Sequence, residues 1–348
     1  MTSKINIFAT GVTGYIGGSV LARLLEHPDA GSFHVTALVR SEEKANKLKA
    51  LGVNAVVGTH SELGLIKDLA SEADVVIAMA DADNIKVVHA ILQGIKERHT
   101  KIGAPSILIH TVHVGVLADN AEGKHKTDII YDDADPAQLE LLPPTQLHRN
   151  VDLELLEADK EGYVKVYIIA PSTIYGIASN KLVDEGIQNP HSIQIPALIA
   201  ASLDRGQGGM VGEGKNLWPN VEIAELADLY IKLLDAINSE SFPGHGREGF
   251  YFGENGEHSL YEVGKAIAEA LVELGKGKST EPTPFTKEEI DKYFGGSAYL
   301  GSNSRCRGNR SRSIGWKPVK TTKDMLASIK PEVEALIKRN YKPQEGKL

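Results

Sequence analysis

The chain has 348 residues and a formal net charge of −8, a length that suits about two domains or one large α/β unit. The acidic balance argues against a nucleic-acid partner, which needs a concentrated basic face. A single cysteine, Cys306, rules out an intrachain disulfide and a cysteine-based metal site.

The N-terminus, "MTSKINIFATG", enters a strand-like run without a signal-peptide pattern. No apolar run approaches the roughly 18 residues needed to span a bilayer. The expectation is a cytoplasmic protein without membrane contact. In chain order, short Val- and Ile-rich runs at 5–9, 33–39, 54–58, 74–80, 106–110 and 164–170 predict strands covered on both faces. Helical periodicity fills the gaps at 15–26, 41–51, 61–72, 83–99 and 145–160. This alternation predicts an α/β fold with a Rossmann-type, doubly wound parallel sheet. The stretch 118–145 is long, acidic and irregular, which in a compact domain marks a functional or mobile loop. After "IIAPSTIYG" (168–176) Gly- and Pro-punctuated segments take over, with helices near 222–237 and 258–275. The division expected is a dinucleotide-binding domain over 1–176 and mainly a substrate lid over 177–348, with segments around 210–255 returning to the sheet domain.

The stretch "IFATGVTGYIGGSVLARLLE" ends a strand and opens a helix, with Gly11, Gly14 and Gly17 at three-residue spacing. The first glycine suits a tight turn, the second a close approach to a pyrophosphate, and the third the packing of helix on strand. Free N–H groups at the helix start then meet negative charge. "TGVTGYIG" (10–17) resembles the T-G-x-x-G-x-[IL]-G turn of the extended and atypical short-chain dehydrogenase/reductases, a group that includes nucleotide-sugar epimerases and the NmrA-like proteins. "IAPSTIYG" (169–176), "LWPNVEIAELADLY" (217–230) and "RSRSIGWKP" (310–318) resemble three further segments of that group in the same order.

The resemblance implies a nicotinamide dinucleotide. Gly11, Thr13, Gly14, Tyr15, Ile16 and Gly17 would meet its pyrophosphate, Thr59 and His60 its adenine, and Ala80 and Asp81 its phosphates and ribose. Thr111 and the stretch Pro171, Ser172, Thr173 would lie along the nicotinamide. The second strand ends "ALVRSEEK", so Arg40 stands where an acidic residue would hold a ribose 2′-hydroxyl, with Ser41 beside it. An arginine there suits a 2′-phosphate, so NADP(H) is the expected cofactor. Ser41 also reads as a helix N-cap ahead of Glu42 and Glu43.

In such reductases a Ser, a Tyr and a Lys deliver the proton. The Ser position is Val112 here, between Thr111 and His113. The Tyr and Lys positions, four apart in "QLHRNVDLELL", are His148 and Asp152. No Tyr-x-x-x-Lys occurs in 120–170. Three readings follow. The acid has moved to His148, paired with Asp152 across one helical turn, with His113 or Tyr175 as further candidates. Alternatively the substrate, an activated C=C bond or a protonated imine, needs less help. As a third reading, the chain binds NADP without turning it over, as the NmrA-like resemblance suggests. Nucleotide-sugar epimerisation ranks lower, because it uses the missing Tyr.

The partner expected is a small-molecule substrate held under the lid segments 177–220 and 284–305, on a monomer or homodimer. The basic run "RCRGNRSR" (305–312) reads as a site for a ligand's phosphate or carboxylate. No metal site is expected, since His110 and His113 on a strand point to opposite faces and no carboxylate motif completes a set.

Overall fold

The computed structural model describes residues 4–239, 241 and 243–341. Its first half alternates β1 (Ile5–Thr10), α1 (Tyr15–Leu25), β2 (Phe33–Val39), α2 (Glu42–Ala50), β3 (Asn54–Val57), α3 (Leu63–Ser71), β4 (Val75–Ala78), α4 (Ile85–Ile102) and β5 (Ser106–Thr111). There follow β6 (Tyr131–Asp132), α5 (Pro136–Glu140), α6 (Arg149–Lys160), β7 (Val164–Pro171) and β8 (Thr173–Tyr175). The C-terminal half holds α7 (Lys181–Asp184), α8 (Gln194–Arg205), β9 (Gly209–Met210), β10 (Leu217–Glu222), α9 (Ile223–Asn238), β11 (Phe250–Gly253) and β12 (Glu257–Ser259). It ends with α10 (Leu260–Glu273), β13 (Thr283–Pro284), α11 (Lys287–Phe294), β14 (Cys306–Arg307), α12 (Asn309–Ser313) and α13 (Thr322–Lys338).

Seven parallel strands form the main sheet in the order β11-β7-β5-β4-β1-β2-β3. The near-continuous apolar runs arise because both faces are buried, and the two-residue period sorts each strand between them. Ile7 and Ala9 enter one core with Ile109, Tyr167 and Ile169, beneath Leu21 of α1 and Leu229 of α9. Phe8 enters the other with Leu108, Val166 and Ile168, beneath Ile66 of α3, Ile91 of α4 and Leu155 of α6. At β1 the order reverses, β2 lying on one side and β4 on the other. Such a switch point opens a crevice at the carboxyl ends of the strands.

The second half supplies two things. Helix α9 covers α1 and strand β11 extends the main sheet. The remainder builds a lid around a core of its own, in which Leu198 and Ile199 of α8, Val263 and Ile267 of α10 and Ile329 and Val333 of α13 meet. A small sheet, β12-β10-β8, joins lid to sheet domain. No helix among the described residues is long and apolar enough to cross a membrane.

Two expectations change. The stretch 118–145 is a strut tied to the C-terminal segment. β6 pairs with β14, and Asp119 accepts from the Asn303 N–H at 2.7 Å and its side-chain amide at 2.9 Å. Asp133 accepts from the Phe252, Arg310 and Ser311 backbone N–H groups. The helix expected from 145 begins at Arg149, because "PPTQLH" before it folds into successive turns, Gln146 N–H to Pro143 O and Arg149 N–H to Gln146 O. His148 is therefore the N-cap, in the left-handed region at φ 68°.

Candidate functional site

At the end of β1 the chain turns through Gly11, whose φ of 77° suits glycine and whose hypothetical Cβ would lie 2.6 Å from the Met79 carbonyl oxygen. A Cβ on Gly17 would lie 2.2 Å from the Gly11 carbonyl oxygen, so α1 packs on the turn at glycine distance. Gly14 N-caps α1 in extended backbone with no side-chain cap, leaving orphan helix donors at the turn. In front of this turn lies a groove of about 810 Å³. Gly11, Thr13, Gly14, Arg40, Thr59, His60, Ala80 and Asp81 all line it. A glycine turn feeding a helix N-terminus, with a cation at one end, fits an anionic dinucleotide.

The remaining residues expected at the cofactor do not line the groove and make the following contacts. The Tyr15 hydroxyl donates to the Gly176 carbonyl at 2.5 Å. Ile16 packs beside Tyr15, Ala178 and Ile223. Ser41 caps α2, accepting from the Lys44 N–H. Thr111 pairs with the hydroxyl of Tyr230 on α9 at 2.7 Å. Pro171 ends β7 opposite Gly253, and Ser172 is buried with its hydroxyl on the Gly253 carbonyl at 2.8 Å. Thr173 is buried with its hydroxyl unpartnered.

Among the groove residues that escaped sequence reasoning, two carry polar groups tied to the lid. Lys44 stands on the first turn of α2, four residues after Arg40, and its Nζ donates to the Ile187 carbonyl at 2.7 Å. Its spacing from Arg40 was the available signal. Asn189 belongs to a lid segment strapped across the turn: its N–H donates to the Thr13 carbonyl, and Gln188 donates to the Tyr15 carbonyl and the Ser19 hydroxyl. Asp81 holds a left-handed φ of 56° and accepts from the Asn84 amide at 2.8 Å, an uncommon conformation for a residue other than glycine.

Beyond the groove, at the carboxyl end of β5, lies a corner rich in imidazole. His148 Nδ1 bonds Asp83 Oδ1 at 2.6 Å. The left-handed N-cap sets His148 before the first helical turn, so the expected His148–Asp152 pair does not form. Asp152 is fully buried and neither carboxylate oxygen has a hydrogen-bond partner. Burial raises its pKa to about 7, Arg149 opposing that shift and Asp83 adding to it. His113 caps the turn at 114–117, its Nδ1 accepting from the Gly115 N–H at 3.1 Å, and its ring lies 5.5 Å from that of Trp218. Burial, with His148 adding to it, lowers the His113 pKa to about 4; buried His110 is lowered to about 4 for the same leading reason. Both are neutral imidazoles near pH 7. Val112, at the position expected for Ser, is buried in the apolar core. Tyr175 faces away: its ring lies in the lid core and its hydroxyl donates to the Thr321 carbonyl. Among the described residues no group of three or more His, Cys, Asp or Glu is placed to hold a metal ion.

The basic run 305–312 is turned inward. Arg305 clasps Glu257 with two bonds of 2.9 Å, Arg307 lies 3.6 Å from the same carboxylate, and Arg312 pairs with Glu254 at 2.6 Å. These guanidinium groups are engaged by carboxylates of the chain itself, and Arg305 and Arg310 also donate to the Thr127 and Asp133 carbonyls of the strut, in place of the ligand site expected from their clustering.

Fold and site together describe a Rossmann-type chain whose glycine turn resembles that of the short-chain dehydrogenase/reductases. Comparison with known proteins agrees with that resemblance. The model of the NmrA-like family matches residues 1–113. Oxidase ucsJ of Acremonium sp is 29% identical over 362 aligned positions, covering 97% of this chain and 99% of that one. A 4-hydroxy-2-methyl-3-oxo-4-farnesyl-3,4-dihydroquinoline-1-oxide ketoreductase of Stigmatella aurantiaca is 27% identical over 49% of this chain and 50% of its own. Among solved structures, a UDP-glucose 4-epimerase of Thermotoga maritima superposes with a TM-score of 0.64 at 15% identity, covering 97% of this chain and 100% of that one. A double mutant of the dTDP-glucose 4,6-dehydratase DesIV of Streptomyces venezuelae gives 0.64 at 18% identity, covering 94% of this chain and 96% of that one.

Proposed function

We propose that the protein is an NADP-dependent oxidoreductase that reduces a C=O, C=N or activated C=C bond of a small organic molecule, with His148 in place of the usual tyrosine acid. The observation that carries this reading is a glycine-walled groove at the carboxyl edge of the sheet together with, near the end of β5, a histidine bonded to a carboxylate. Gly11, Gly14 and the start of α1 would hold the pyrophosphate, Thr59 and His60 the adenine, and Ala80 and Asp81 the adjoining ribose and phosphates. Arg40 lies exposed on the groove wall, and with Lys44 beside it would take the 2′-phosphate, which favours NADP over NAD. The names of the oxidase and ketoreductase relatives support the reaction class.

A bound reduced nicotinamide supplies hydride to the substrate's electrophilic carbon. Asp83 engages His148 through Nδ1, which would direct Nε2 at the substrate. His148 releases the Nε2 proton to the acceptor oxygen, nitrogen or carbon as negative charge develops there, and Asp83 fixes the neutral tautomer that remains. Such general acid catalysis contributes about 10²–10⁴-fold. His113 and His110, both held neutral by burial, would wall the site without adding charge.

A second reading, an NADP-sensing protein without turnover, is favoured by one observation: Val112 and buried Asp152 occupy two of the three positions of the usual relay. The two readings separate on incubation of the protein with NADPH and benzaldehyde, cyclohexanone, a cyclic imine and cyclohexenone, following loss of reduced-nicotinamide absorbance. Oxidation with one or more of these supports the reductase. Tight NADPH binding by calorimetry, with no oxidation in any mixture, overturns it in favour of the sensor.

A further inference from the structure

Tyr299 reaches the imidazole corner from the lid, on a short 3-10 turn at Tyr299–Gly301. Its ring meets Trp218 edge-on, with centroids 5.6 Å apart and planes at 74°. Trp218 in turn lies beside His113. The turn is anchored: the Tyr299 carbonyl accepts from the Ser302 hydroxyl at 2.7 Å, and the Ser302 carbonyl accepts from the Trp218 indole N–H at 2.5 Å. The phenol therefore stands on a fixed base.

Its hydroxyl is set apart from those of nearby tyrosines. Tyr15, Tyr175 and Tyr230 spend theirs on Gly176, Thr321 and Thr111. The Tyr299 hydroxyl has no hydrogen-bond partner among the described residues, and it does not count among the fully buried orphan atoms. It projects into the corner over Gly115, where a Cβ would lie 2.2 Å from the phenol oxygen, 3.1 Å from His113 Nδ1 and 3.4 Å from Leu147, the neighbour of His148. Gly115 thus leaves the room in which the lid phenol and the two candidate imidazoles converge. Burial, with the Asp83 charge adding to it, holds the phenol above its ordinary pKa, so it stays protonated and able to donate.

We propose that Tyr299 is a catalytic residue whose hydroxyl donates a hydrogen bond to the acceptor atom of the substrate, stabilising the charge that develops there. The assignment rests on the reductase reading. It replaces the donor lost where Val112 stands, and it brings that donor from the lid, so a complete site requires the lid in place. No proton is transferred from Tyr299; His148 supplies the proton and Tyr299 the oriented dipole, an arrangement of the oxyanion-hole kind.

The test is steady-state NADPH oxidation by wild type, Tyr299→Phe and Gly115→Ala, with whichever carbonyl, imine or enone probe the wild type turns over. Phe keeps the ring on Trp218, and Gly115 has no left-handed φ, so both variants are expected to fold, as checked by circular dichroism and by calorimetric NADPH affinity equal to wild type. Tyr299→Phe is expected to lower kcat by about 10²–10³-fold, the usual cost of removing one such donor, with KM for NADPH unchanged. Gly115→Ala, which pushes the hydroxyl aside, is expected to lower kcat in the same direction. Wild-type kcat in Tyr299→Phe overturns the assignment while the reductase reading stands. Failure of the wild type to oxidise NADPH with any probe overturns the reductase reading and this assignment with it.

Discussion

The groove and the imidazole corner lie at the same edge of the sheet but are built differently. The groove is a backbone construction. Its turn depends on the missing Cβ atoms of Gly11 and Gly17, each of which would strike a main-chain carbonyl. The corner is a side-chain construction, in which Asp83 meets His148 across 65 positions of sequence and Tyr299 arrives from the lid. A backbone site tolerates few spellings, whereas a side-chain site can exchange its parts while keeping their neighbourhood. In the proposed reading, the difference lets a chain retain a dinucleotide cradle while its proton delivery is rebuilt.

The largest effect should come from the backbone. Gly17→Ala drives a methyl group into the Gly11 carbonyl, and since neither helix nor strand can yield cheaply it should cost about 3 kcal/mol or more. Thermal unfolding should register that loss, and calorimetry should find NADPH binding abolished; a stable variant that still binds would mean the turn is not a rigid cradle.

Asp152 tests the corner through pH. Its folded pKa, raised by burial from the ordinary 3.8 to about 7, lies above the unfolded one, so the unfolded chain holds fewer protons between those values. Its stabilising contribution is present below about pH 4 and is lost as pH rises to about 7. Asp152→Asn, which keeps shape and removes the charge, should therefore raise stability by a few kcal/mol above neutral pH and change it little at pH 4. Denaturant unfolding across that range checks it, and a destabilised variant at pH 8 would instead reveal a carboxylate that the fold needs ionised beside Arg149.

Arg40→Ala returns to the groove with a smaller effect. Losing a charge-assisted bond to the 2′-phosphate should weaken NADPH binding by about 1.5–3 kcal/mol and leave NADH binding unchanged. Equal weakening of both cofactors would move Arg40 from the 2′-phosphate to a part that they share.

The legibility of the sequence follows the same divide. The strand runs were readable because both faces of each strand are apolar, and the glycine turn because its spacing is a steric requirement. The start of α6 was misplaced because helical periodicity continues through "PPTQLH", whereas the prolines and local turns bar the helix until Arg149. That shift removed the His148–Asp152 pair, which rested on a helical phase His148 does not share. Asp83 and Tyr299 left no trace in the sequence, because each becomes meaningful only beside residues far along the chain. The arginines at 305–312 looked like a ligand site because the carboxylates that engage them, Glu254 and Glu257, lie some fifty residues earlier and meet them only in the folded chain.

The most direct test of the proposed acid is the rate of NADPH oxidation by wild type and by His148→Gln, each saturated with cofactor. His148→Gln should be about 10²–10⁴-fold slower in kcat and keep its NADPH affinity. A variant that keeps the wild-type kcat would show that the proton comes from elsewhere and contradict the assignment of His148 as the acid.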